Sequence, residues 1–224
     1  VDLLQIRTLG GLAIQRDNQP VDGFASRKAE LLLVYLACNP HNHRREVLAD
    51  LLWDDRTQKR AMGNLRVVLS SLRKVAGPFV TITRDTAGIN PDCVWLDVAE
   101  LEAALAAEVT TETVGEMGDA LDLYRDDFLA GVHVRDARGL EEWLVGERER
   151  LHRLVLNGFR RLVDYYLEVG HYRAGIARAT RLLELDPLLE AGHRQMMTLL
   201  ARSGQRAAAL AQYETCCQLL AQEL

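Results

Sequence analysis

Gly170 and Gly204 stand 34 residues apart, and the residues after them keep step: Gly175 answers to Ala209, Ile176 to Leu210 and Leu182 to Cys216. Few spacings limit a fold so tightly. Thirty-four residues is the length of one tetratricopeptide unit, a pair of antiparallel helices that buries its apolar stripe only by stacking on the next pair. Small residues at the repeated positions let the paired helices approach closely. A weaker, earlier copy reads "GDALDLYRDDFLAG", with Ala120, Leu121 and Tyr124 in the places of Gly175, Ile176 and Ala179, after which helical character is inserted around "LEEWLVGERERLHRL". Helical periodicity runs almost unbroken from Val98. Residues 98–224 are therefore expected to form an α-helical repeat domain of about three units, near the minimum for independent stability.

The first 97 residues follow another rhythm. "LLQIRTLGGLAIQRDNQPVD" alternates apolar and polar residues and is broken at Gly10-Gly11 and at "RDNQP", the pattern of short antiparallel strands. "SRKAELLLVYLACNP" reads as a helix capped by Ser26 and stopped at Asn39-Pro40. "RREVLADLLWDD" gives a second, with Val47, Leu48, Leu51 and Leu52 on one side, and "AMGNLRVVLSSLRKVAG" a third. After Gly77-Pro78, the β-rich "FVTITR" and "DCVWLDV" flank the turn "DTAGINP". A sheet, three helices and a hairpin within about a hundred residues outline a winged helix-turn-helix, a module that puts one helix into the major groove of DNA. The expected fold is mainly α with a small β component: a winged helix-turn-helix over residues 1–97, then tetratricopeptide-like repeats over 98–224.

The chain is acidic, with 27 Lys and Arg against 32 Asp and Glu, but the charges are sorted. Residues 1–97 hold 13 basic and 11 acidic side chains, and residues 98–224 hold 14 and 21. Between Asp55 and Asp85 lie Arg56, Lys59, Arg60, Arg66, Arg73, Lys74 and Arg84, with no carboxylate among them. A solvated surface would account for such a run by itself. Its place on the third helix points to nucleic acid instead. At about 100° per residue, Met62, Leu65, Val68, Leu69, Leu72 and Ala76 gather on one side, which must be core. The other side carries Arg60, Gly63, Asn64, Val67, Ser70, Ser71 and Lys74, flanked by Arg66 and Arg73. Arg60, Asn64, Val67, Ser71 and Lys74 suit base or groove contacts, since Arg pairs with guanine, Asn with adenine and a valine methyl with thymine. Arg66, Ser70, Arg73 and, at the start of the wing turn, Arg84 suit phosphates. Carboxylates on this face would repel phosphates and offset the counterion release that supplies much of the binding free energy.

Other signals are weaker. His41 and His43 in "PHNHRRE" have no third ligand at metal spacing and read better as part of a loop leading into a helix. Asp54-Asp55 and Asp126-Asp127 fall at helix ends, where exposure is the default. No nucleotide-binding, serine-hydrolase or zinc-protease motif occurs, and neither an enzyme nor a cofactor is expected. Trp53, Trp95 and Trp143 read as core or junction anchors, and Cys216, beside Cys217, as a packing residue. The four cysteines lack C-x-x-C spacing and fit a reducing, cytoplasmic setting. The longest apolar run, "LLLVYLAC", is too short to span a bilayer, so no membrane partner is expected. A start at Val1 and an end inside a helical pattern are expected of a piece of a longer protein.

Taken in order, "LQIRTLGGLAIQRDNQPV", "SRKAELLLVYLA", "VLADLLWDD", "NLRVVLSSLRKVAG" and "DVAELEAAL" closely resemble the bacterial activators typified by the Streptomyces antibiotic regulatory proteins. "ALDLYRDDFLAG", "EEWLVGERERL" and "SGQRAAALAQYETCCQLLAQEL" resemble the bacterial transcriptional activation domain of the same family, so the match covers essentially the whole chain. The resemblance implies an OmpR-type winged-helix domain with its recognition helix over Arg60 to Val75 and its wing over Phe79 to Val98. It also implies binding of direct repeats near promoters, recruitment of RNA polymerase, and a tetratricopeptide-like domain that supports dimerisation or regulation. Larger relatives add an ATPase module and sensor repeats. The expected partners are double-stranded promoter DNA, RNA polymerase and a second copy of the chain, at least on DNA. The rival reading is a protein-interaction adaptor whose winged helix serves only as a packing module.

Overall fold

The computed structural model describes residues 3–223; Val1, Asp2 and Leu224, the ends of the expected division, lie outside it. The chain forms two compact units, Val1–Glu102 with Tyr124–Arg150, and Ala103–Leu123 with Leu151–Leu224.

The first unit opens with strands β1 (Leu4–Arg7), β2 (Ala13–Arg16) and β3 (Gln19–Pro20), joined antiparallel as the alternation predicts. Asp17 and Asn18 take positive φ at the β2–β3 turn, where Asp and Asn are among the tolerated residues. Helices α1 (Arg27–Cys38), α2 (Arg45–Leu52) and α3 (Gln58–Ala76) follow. Ser26 occupies the N-cap of α1, but its backbone carbonyl rather than its hydroxyl receives the amides of Ala29 and Glu30. Leu31, Leu32, Leu36, Leu48, Leu52, Leu65 and Leu72 are fully buried or nearly so. Val47, placed with the apolar side of α2 in the sequence, is 52% exposed, and Met62 is only half-buried while Ala61 is buried.

The hairpin differs from expectation. Strands β5 (Val80–Ile82) and β6 (Thr86–Ile89) pair antiparallel, Val80 opposite Ile89 and Ile82 opposite Ala87, so "TAGI" is a strand and the turn is Thr83 to Asp85. Gly88 reads as a turn residue in the sequence. In the strand it serves close approach, because a Cβ there would lie 2.6 Å from Asn42 Oδ1 and 3.1 Å from the His41 carbonyl. That approach seats β4 (His43–Arg44), part of the stretch read as a loop, against β6. The other expected wing strand, β7 (Val94–Leu96), leaves the hairpin and pairs parallel with β1, giving the order β3-β2-β1-β7. Buried Asp97 fixes this crossing, accepting from Thr8 N at 2.6 Å, Thr8 Oγ1 at 2.8 Å, Leu9 N at 2.8 Å and Val98 N at 2.9 Å.

Helix α4 (Asp97–Ala106) begins at that carboxylate, and α5 (Val114–Asp122) lies in the second unit. The earlier repeat copy is not a helix pair. Residues 123–137 are mostly irregular, Phe128 bridges to Leu9, and Tyr124 donates its hydroxyl to Asp127 within the first unit. Arg148 holds this segment in place through the carbonyls of Phe128, Leu129 and Val132.

The 34-residue period is realised by α6 (Arg138–Glu168) with α7 (Tyr172–Leu185) and by α8 (Glu190–Arg202) with α9 (Arg206–Glu223). Gly170 and Gly204 occupy the turns with φ of 78° and 83°. After them, His171 N donates to Tyr166 O at 3.0 Å and Gln205 N to Leu200 O at 2.8 Å, the same six-to-one closure repeated 34 residues on. Val163, Ala179, Met196 and Leu199 form the core of the second unit. A Cβ on Gly175 would lie 2.6 Å from Leu199 Cδ2 and 3.2 Å from Tyr166 Cβ. Gly175→Ala is expected to lower the melting temperature by a few degrees, about 1 kcal/mol net, because overpacking exceeds the gain in helix propensity. Gly146→Ala, with nothing within 4 Å of its added Cβ, is expected to raise it. Calorimetric melts of the two variants check the opposite signs.

Candidate nucleic-acid interface

The exposed face of α3 carries the predicted residues, though not all equally. Arg60, Asn64, Arg66, Val67, Ser70, Arg73 and Lys74 are exposed, and Val67 at 64% is an aliphatic side chain with little of its surface covered. Arg66, Ser70 and Lys74 succeed each other at four-residue steps and so line one stripe. Ser71 is half-buried and its Oγ accepts the Ala25 amide at 3.0 Å. That bond draws the loop before α1 over the helix, and Gly23, Ala25, Arg66, Val67, Ser70, Ser71 and Lys74 enclose a hollow of about 480 Å³. The loop is not among the residues the sequence singles out, since a backbone amide gives no sequence signal.

The arginines nearer the hairpin divide. Arg73 donates from Nη2 to the Ile82 carbonyl at 2.9 Å, tying α3 to β5, although the residue as a whole is exposed. Arg84 sits at the exposed tip of the β5–β6 turn. Thr83 pins that turn, its Oγ1 accepting the amides of Asp85 at 3.3 Å and Thr86 at 3.0 Å.

At the start of α3 a second hollow, about 440 Å³, is lined by Lys28, Trp53, Arg56, Arg60, Gly63, Asn64 and Asp136. Lys28 Nζ donates to the carbonyls of Leu52 and Asp136 at 2.7 and 2.6 Å and lies 5.2 Å from the centre of the Trp53 ring. Burial lowers the pKa of this amine, and the Asp136 carboxylate opposes the shift. The segment without carboxylates is therefore not a surface without them. Folding brings Asp136, 72 positions beyond Asn64, to the front end of α3, whereas no acidic residue lines the hollow at Arg66 and Lys74.

The other chemistry-bearing candidates fall elsewhere. His43 is buried, its Nε2 lies 3.0 Å from the Asn39 carbonyl, and its ring sits 3.8 Å from that of His41. Desolvation by burial lowers its pKa, the contact with the Asn39 carbonyl opposes the shift, and the neighbouring His41 adds to it. Burial pushes the Cys38 thiol well up, so it stays protonated. Trp143 packs edge-on against Tyr35 and Phe128, as an anchor should. No group of three His, Cys, Asp or Glu suited to a metal occurs among the described residues, and none of their helices is long and apolar enough to cross a membrane.

A winged helix with a basic third helix thus precedes helix pairs set at a 34-residue period. The sequence profile of the bacterial transcriptional activator domain matches residues 95–224, and the chain belongs to that family. It is 27% identical to regulatory protein AfsR of Streptomyces coelicolor over 99% of its length and 29% identical to that of Streptomyces griseus over 100%. It spans only 22% and 23% of those relatives. Among solved structures, Mycobacterium tuberculosis EmbR, in complex with a low affinity phosphopeptide, matches with a TM-score of 0.74 at 21% identity over all of this chain and 61% of that one. The likeness is one of fold: a winged-helix N-terminus and a helical tetratricopeptide-like part.

Proposed function

We propose that this member of the activator family binds double-stranded promoter DNA through α3 and the β5–β6 hairpin. Residues 1–97 supply the DNA-binding part, and residues 98–224 make dimerisation or regulatory contacts. The observation that carries the reading is the exposed stripe of Arg66, Ser70 and Lys74 beside Val67, on a helix whose opposite side is core. Arg60, Asn64, Val67 and Lys74 are the residues for base or groove contact, and Arg66, Ser70, Arg73 and Arg84 for phosphate. Ser71 contributes by holding the Ala25 loop as well as by any contact of its own. RNA polymerase and a second copy of the chain on DNA complete the proposed set of partners.

A gel-shift titration on genomic promoter fragments across a salt series tests this. Each phosphate contact adds about −0.9 to the slope of log affinity against log salt, so a steep slope is expected. Absence of a shift, or a shift indifferent to salt, would favour the adaptor reading, in which the winged helix only packs.

A further inference from the structure

We propose that a groove in the second unit, at the start of α7 and the end of α8, binds an acidic peptide segment of a partner protein. The groove is a shallow one of about 890 Å³, open to solvent along its length, as suits an extended peptide better than an enclosed small molecule. Arg173, Arg202 and His171 supply its polar lining, and Tyr172, Ala174 and Ala177 its apolar lining; no carboxylate lines it. Elsewhere in this unit Arg178 is bound by Asp122 and Arg181 by Glu184. Among the described residues neither Arg173 nor Arg202 has a carboxylate partner; Arg202 makes one long bond, 3.4 Å, to the Leu167 carbonyl.

The positive groove is also out of character for its surroundings, since the second unit holds 12 acidic and nine basic side chains. Two guanidiniums free to pair with carboxylates, set around an apolar floor, fit a segment in which acidic residues flank small apolar ones. Duplex DNA fits less well, because its phosphates would use the guanidiniums but leave the floor of alanine and tyrosine without an apolar partner. This proposal is independent of the DNA reading.

The test is fluorescence anisotropy of the full chain with a labelled ten-residue peptide of alternating Glu, Asp and Ala, and with a counterpart carrying Lys in place of the acids. Salt-sensitive binding of the acidic peptide alone is expected, weakened at least about tenfold in both the Arg173→Glu/Arg202→Glu and the Arg173→Gln/Arg202→Gln variants. Circular dichroism melts confirm that both variants fold. The proposal is overturned if the acidic peptide does not bind, if the basic one binds equally, or if the variants keep peptide affinity. Loss of promoter DNA binding in the variants, with peptide binding unchanged, would assign the groove to DNA instead.

Discussion

Replacing Asp97 with alanine is expected to destabilise the first unit by about 4 kcal/mol, a large share of what a domain of this size has. The carboxylate is 2% exposed and receives four hydrogen bonds, three of them from Thr8 and Leu9, nearly ninety positions away. Removing it leaves two amides and a hydroxyl of a crossing strand without an acceptor, in a place water does not reach. It also removes a negative charge from the first turn of α4, where the helix dipole favours one. Asp97→Asn keeps the shape and one acceptor oxygen, and about half the loss is expected. All three tryptophans belong to the first unit, so urea unfolding followed by their fluorescence reports on it directly. A midpoint lowered by roughly 2 M is the expected reading for alanine. An unchanged midpoint would mean that the Asp97 bonds do not hold β1 and α4 together.

The second large effect is on binding. Arg66→Glu with Lys74→Glu is expected to weaken promoter DNA at least about a hundredfold near physiological salt and to flatten the salt slope by about 2, because two phosphate contacts become repulsions. The melting temperature is expected to stay put, since both side chains are exposed and surface charges contribute little to stability. These two positions discriminate better than their neighbours. Arg73→Ala also cuts the bond to Ile82, and Ser71→Ala releases the Ala25 amide, so either loss would mix DNA contact with a shifted hairpin or loop. If the double charge reversal left affinity and slope unchanged, α3 would not be the surface that meets DNA.

Much of this molecule is legible without coordinates, for one reason: the signals are local. The apolar stripe of α3 depends on helical spacing alone, and Leu65, Val68, Leu69 and Leu72 are buried as that spacing requires. The turns at Gly170 and Gly204 come from a residue able to take positive φ at a fixed period. The misleading signals are equally local. Gly88 and Asn90 look like turn residues, yet Gly88 pairs in a strand, where glycine is needed because the Asn42 amide oxygen and the His41 carbonyl come too close for a side chain.

The sequence by itself determined the three helices of the first unit, most of their buried faces, the 34-residue period at Gly170 and Gly204 and the basic stretch, since each is written in spacing or charge over a few turns of chain. Only the tertiary structure decided the rest. It sent β7 to β1 instead of the hairpin, and packed residues 124–150 with the first unit. It also engaged Ser71 and Arg73 in bonds within the fold and set Asp136 beside Asn64. Most of these join groups far apart along the chain, through a backbone amide, a carbonyl or a single buried carboxylate. Such groups carry no periodicity, so nothing in the order of residues announces where they meet.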